Sequence, residues 1–182
     1  MTVETEGQAQ SGTIRVWDPA VRLFHWSLVA AFITAYLSGG EIRWLHENVG
    51  YIAAGLIAFR VIWGFVGTTH ARFADFVRKP GSVLDYLRDI RRGHPRRYLG
   101  HNPAGGAMVL ALMLAVSLIA LSGFLMTTDR FWGVEWVEDV HELIVNATLI
   151  LVFLHIAGVV LASRQHHENL VLSMLTGRKR RD

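Results

Sequence analysis

A chain of 182 residues that is 52% hydrophobic and only 18% charged, with a mean hydropathy of +0.31, is too apolar for an ordinary soluble domain, where charged residues make up about 25%. Cysteine is absent, which excludes disulfides, iron–sulfur clusters and thioether-attached haem. The isoelectric point near 9.7 makes the placement of the basic residues the next thing to read.

In chain order, residues 1–14 are polar and lack the basic start of a secretory signal, so they are expected to form a disordered tail. Apolar runs follow at 21–37, 49–66, 107–126 and 140–163, each close to the ~20 residues that cross a bilayer as a helix. Trp17, Trp26, Trp44, Trp63, Trp132 and Trp136 flank these runs as interfacial aromatic belts do. Between the second and third runs, the connection 67–103 holds a short amphipathic helix with Val83, Leu84, Leu87 and Ile90 at helical spacing. Ser82 is its expected cap, and the membrane surface its expected place. The predicted architecture is an all-α integral membrane four-helix bundle. It comprises a tail at 1–14, a transmembrane domain at 15–165 and a basic tail at 166–182.

Charge predicts the orientation. Fifteen of the eighteen Lys and Arg residues fall in the N-terminal segment, the 67–103 connection and the C-terminal tail, whereas only Arg43 and Arg130 occupy the two other connections. The positive-inside rule then places both termini in the cytoplasm. Basicity of this kind signals topology and anionic membrane lipid, with no nucleic-acid partner.

Histidines supply the chemistry. His141 and His155 are fourteen residues apart on the fourth helix, almost four turns and about 21 Å, so they share a face at two depths. That is too far for one ion, whose ligands lie within ~2 to 2.6 Å. His46 starts the second helix at the outer level of His141, and His25 lies near the start of the first at the inner level of His155. Two imidazoles on opposite sides of an iron, with four donors supplied by a macrocycle, is the arrangement of a bis-histidine haem b between helices. Two such non-covalent haems are expected. Gly50, Gly55, Gly123 and Gly158 leave room for flat groups or for close helix packing. Arg60, inside the second helix, faces the bundle and pairs with an inner-haem propionate or with helix-end carbonyls. His70, His94, His101, His166 and His167 read as solvated.

The segments Arg15-Val-Trp-Asp-Pro-Ala-Val-Arg-Leu-Phe-His25-Trp26, His46-Glu-Asn-Val-Gly-Tyr51, Phe59-Arg-Val-Ile-Trp-Gly-Phe-Val-Gly67 and Gly100-His-Asn-Pro-Ala-Gly-Gly106, with residues 169–178, resemble the bacterial cytochrome b-561 family. That family includes the cytochrome b subunits of nickel-iron hydrogenases. The resemblance implies a di-haem electron carrier of the respiratory chain in the bacterial inner membrane, with His25, His46, His141 and His155 as its iron ligands. It also implies a periplasmic partner, whether a cytochrome c, a hydrogenase or another dehydrogenase, and quinone as the exchangeable substrate. A superoxide:quinone oxidoreductase is the alternative function. A metal-ion transporter would need its ligands near one midplane site, which the 21 Å separation opposes. Asn102, Gly105 and Gly106, with His101 as proton relay, form a candidate quinone site; the competing role for Asn102 and Pro103 is simply to start the third helix.

Overall fold

The computed structural model describes residues 12–181. Residues 1–11, most of the expected tail, lie outside the described residues. Four long helices are apolar enough to cross a membrane: α1 (Pro19–Ser38), α2 (Arg43–Val66), α5 (Pro103–Met126) and α6 (Glu135–Gln165). Between α2 and α5 come a 3-10 turn (Thr69–Ala71), the single turn α3 (Phe73–Phe76) and α4 (Pro80–Arg91). After α6 the short helix α7 (Leu170–Thr176) leads into strand β2 (Arg178–Arg180), which pairs antiparallel with β1 (Thr13–Arg15).

The helices begin where the backbone donors of a first turn find acceptors. For α1, the Val21 N–H donates to Asp18 Oδ1 at 2.9 Å, with Pro19 in the first helical position. For α5, the Gly105 N–H donates to Asn102 Oδ1 at 2.7 Å, again followed by proline. These caps start α1 and α5 two and four residues before the apolar runs. Likewise, α2 and α6 extend six and five residues upstream of the hydrophobic stretches. Thirty-one residues make α6 about 46 Å long, so its ends project beyond a ~30 Å hydrocarbon core. The short helix α4 starts at Pro80 with Lys79 as its N-cap, not at Ser82, because a proline already holds the φ angle of a first helical residue.

Packing runs in an open sequence: α1 on α2, α2 on α5, and α5 on α6. Among the described residues α6 packs chiefly on α5 and meets α2 where the His46 and His141 rings approach. Phe24, Ile57 and Val116, one from each of α1, α2 and α5, form a buried cluster with Leu28, Leu56 and Met113 around it. Outward-facing Leu37, Phe65, Leu143 and Phe153 are about 70% exposed, as lipid-facing residues are.

The two described ends of the chain meet at one end of the bundle. Gly177, at φ 79°, ends α7 in the left-handed conformation that suits glycine. Its carbonyl accepts the N–H groups of Val16 and Trp17 at 2.9 and 3.1 Å. Lys179 is buried, donating to the carbonyls of Tyr98 and Leu99 and pairing with Glu168 at 3.5 Å. Arg22 donates to the carbonyl of Leu175, and Arg97 to that of Arg180. Thr13 and Ile14 are therefore in a strand, and the expected tail at 166–182 is a folded cap. Trp17 likewise is buried there, its indole donating to Ser173 Oγ at 3.4 Å, rather than standing in a lipid belt.

Candidate haem-binding site

Helix rise carries His141 and His155 to opposite ends of α6, ~21 Å apart. At the outer end the ring centres of His46 and His141 are 6.2 Å apart, with planes at 75°. With each nitrogen ~2 Å from a shared ion and each ring centre about 1 Å beyond its nitrogen, two trans imidazoles have centres roughly 6 Å apart. The observed spacing fits one ion between them.

Hydrogen bonds set the tautomers of this pair. His46 Nδ1 lies 2.9 Å from the carbonyl oxygen of Ala35, which can only accept, so His46 carries its proton on Nδ1. Ser122 Oγ lies 2.8 and 3.1 Å from the carbonyls of Leu118 and Ile119 and 2.9 Å from His141 Nδ1. With its proton on a helix carbonyl it accepts from His141 Nδ1, the tautomer that frees Nε2 for a metal. Glycine makes room beside each: a Cβ on Gly39 would lie 3.4 Å from His46 Nδ1, and one on Gly123 would lie 3.3 Å from His141 Cε1.

At the other end, His25 of α1 and His155 of α6 lie six residues from the start and ten from the end of their helices. His25 Nδ1 is buried without a hydrogen-bond partner. Of the four histidines, the structure brings the rings of His46 and His141 together. Among the described residues, no three His, Cys, Asp or Glu side chains cluster to hold an ion with protein ligands alone. Two imidazoles without a third protein ligand would suit a group that supplies its remaining donors itself.

Arg60 is buried in α2, six residues from the end of that helix. Its Nη2 donates to the carbonyl of Ala71 at 3.0 Å, and Nη1 has no partner. The guanidinium also lies over the rings of Phe73 and Phe76, at 5.3 and 5.7 Å. One of its two donor edges thus serves the connection after α2, the carbonyl pairing read as one of two roles, and the other remains open.

Two solvated assignments change. His70 Nδ1 is paired with Asp75 Oδ2 at 3.0 Å. The His101 ring meets Trp17 and Phe76 at centre distances of 4.7 and 4.8 Å. Burial, together with the positive charges of Arg60 and Lys179, pushes the His101 pKa down to about 3. So weak a base stays neutral at physiological pH. The residue is half-buried, with Trp17 and Phe76 against its ring, and a hydrophilic stretch gives no warning of such contacts. Asn102 Oδ1 is engaged in the α5 cap. Gly106 is there for packing, since a Cβ would come within 2.5 Å of the Phe76 carbonyl.

Residues 16–177 match the prokaryotic cytochrome b561 family over most of the chain. The chain belongs to that family. As a cytochrome b561 it is a prokaryotic multi-pass membrane protein, a haem-containing b-type cytochrome of electron transport. It is 27% identical to a probable Ni/Fe-hydrogenase B-type cytochrome subunit of Bradyrhizobium diazoefficiens, over 92% of this chain and 86% of that one. A subunit of the same description from Rhizobium leguminosarum bv. viciae is 23% identical over 92% of this chain and 89% of its own length. The corresponding hydrogenase 1 subunit of Escherichia coli is 24% identical over 63% of this cytochrome b561 and 60% of its own length. No solved structure matches.

Proposed function

We propose that this cytochrome b561 holds two haems b and relays electrons across the bacterial inner membrane between a periplasmic redox partner and the quinone pool. The observation that carries the reading is the outer pair, His46 and His141, with ring centres 6.2 Å apart and each Nδ1 within 2.9 Å of a backbone carbonyl or a serine hydroxyl. His25 and His155 are the corresponding pair on the inner side. Bound haem supplies one-electron iron chemistry, whose potential the protein sets through ligands, charge and burial.

The residues then divide the work. Ala35 and Ser122 hold the outer imidazoles in the ligating tautomer. Arg60 places a cation beside the inner pair, where its free edge suits a propionate. Exposed Trp44, Trp132 and Trp136 mark the outer interface, and the basic cap lies toward the cytoplasm by the positive-inside rule. A hydrogenase is the favoured partner, supported by the printed names of the relatives, and quinone is the exchangeable substrate.

Pyridine haemochrome titration tests the ligand assignment. Wild-type protein should yield two haems per chain, His155→Ala only the outer one and His46→Ala only the inner one. Two haems retained in His155→Ala would sink the pairing.

A further inference from the structure

Among the buried polar atoms without a hydrogen-bond partner at the inner end of the bundle, Arg60 Nη1 and His101 Nδ1 share a neighbour. Their side chains share Phe76, with the Arg60 Cζ 5.7 Å and the His101 ring centre 4.8 Å from its ring centre. Arg60 also acts on His101 electrostatically. The carboxylates that act on this pair, Asp18 on Arg60 and Asp75 on His101, are bound by other groups. Asp18 accepts from Val21, Thr68 and Trp63, and Asp75 from His70.

A buried cation edge and a buried imidazole nitrogen left without protein partners are destabilising unless a ligand supplies the acceptor. The ring of His101 also packs between groups, Trp17 and Phe76, that would accept an apolar side chain without any desolvation cost. Counted by helix rise, His25 lies six residues from the start of α1 and Arg60 six residues from the end of α2, each about 9 Å in from the same end of the bundle. His101 immediately precedes the α5 cap at that end.

We infer that His101 joins Arg60 in binding a carboxylate of the inner haem, with Trp17 and Phe76 holding the imidazole in place. The inference rests on the proposed inner haem at His25 and His155. His101 contributes a neutral N–H and Arg60 the charge, so the pair compensates a propionate without burying two cations together.

The His101→Phe protein tests this, because it keeps an aromatic ring and removes the donor. Both haems should remain by pyridine haemochrome. The inner midpoint should fall, by up to a tenfold change in the redox equilibrium or ~59 mV for one electron, since a less compensated carboxylate favours oxidised iron. The outer midpoint should not move, the inner haem being identified as the one missing from His155→Ala. One propionate bending band should shift in resonance Raman spectra; Arg60→Leu should move the same haem, and His101→Gln, which retains an N–H donor, should restore the wild-type values. An unchanged inner midpoint and unchanged propionate band, with both haems bound, overturn the inference and leave His101 a packing residue. A shift confined to the outer haem overturns it equally. If His101→Phe does not assemble, His101→Leu carries the same expectations. Wild-type protein with fewer than two haems instead defeats the di-haem reading beneath it.

Discussion

At His141 the Nδ1 proton is shared with a serine hydroxyl 2.9 Å away, whereas at His46 it goes to a backbone carbonyl. Only the first of these can be removed by mutation. An acceptor on Nδ1 makes the imidazole a stronger donor to iron and stabilises the oxidised state. Ser122→Ala should therefore keep two haems, weaken retention of the outer one by about tenfold and raise its midpoint, leaving the inner midpoint unchanged. Redox titration of the detergent-solubilised protein, with pyridine haemochrome before and after dialysis, reads both effects. An outer midpoint that falls would reverse the assigned tautomer.

The cap formed by β1, α7 and β2 depends on Glu168. Burial by itself pushes the Glu168 carboxyl up, but Lys179, the Arg180 backbone N–H and Arg97 outweigh it and hold the pKa below the ordinary value of 4.5. A carboxylate with a depressed folded-state pKa contributes stability that is present above its unfolded pKa and lost as pH falls through the folded value. The window is therefore below about pH 4.5. Glu168→Gln should lower stability at pH 7 by about 1–3 kcal/mol, because Lys179 loses its countercharge in a buried position. It should also flatten the acid-induced loss. Thermal unfolding followed by circular dichroism at pH 7 and pH 4 measures both; equal acid sensitivity in the two proteins would remove Glu168 from the cap's energetics.

Across the whole molecule, β1 and β2 are paired, so the two described ends of the chain must lie on one side of the membrane. The basic connection between α2 and α5 is bound to the same cap through Lys179 and Arg97. Fifteen of the eighteen basic side chains thereby gather at one end, and the positive-inside rule assigns that end to the cytoplasm. A green fluorescent protein fused after Asp182 should fluoresce, and alkaline phosphatase fused there should be inactive. Active phosphatase would invert the topology and exchange the inner and outer haems.

Hydrophobic run length, the two levels of histidine and the basic asymmetry were legible in the sequence because each depends only on local periodicity and composition. They established four membrane-capable helices and singled out His25, His46, His141 and His155. The Asn102-Pro103 start of α5 was legible as one of two roles, since a cap is a local contact. The packing of His101 on Trp17, the burial of Trp17, the strand at Thr13–Arg15 and the bonds from Lys179 to Tyr98 and Leu99 were not, because each joins chain segments more than seventy residues apart. The sequence by itself therefore determined the transmembrane helices and the depths of their histidines, through fixed helical rise and the cost of taking polar groups into lipid. Only the tertiary structure decided which groups the Nδ1 atoms of the outer histidines meet, that α6 packs chiefly on α5, and which polar atoms at the inner end lack protein partners. Those features depend on which side chains meet across helices, a matter of packing that no local pattern encodes.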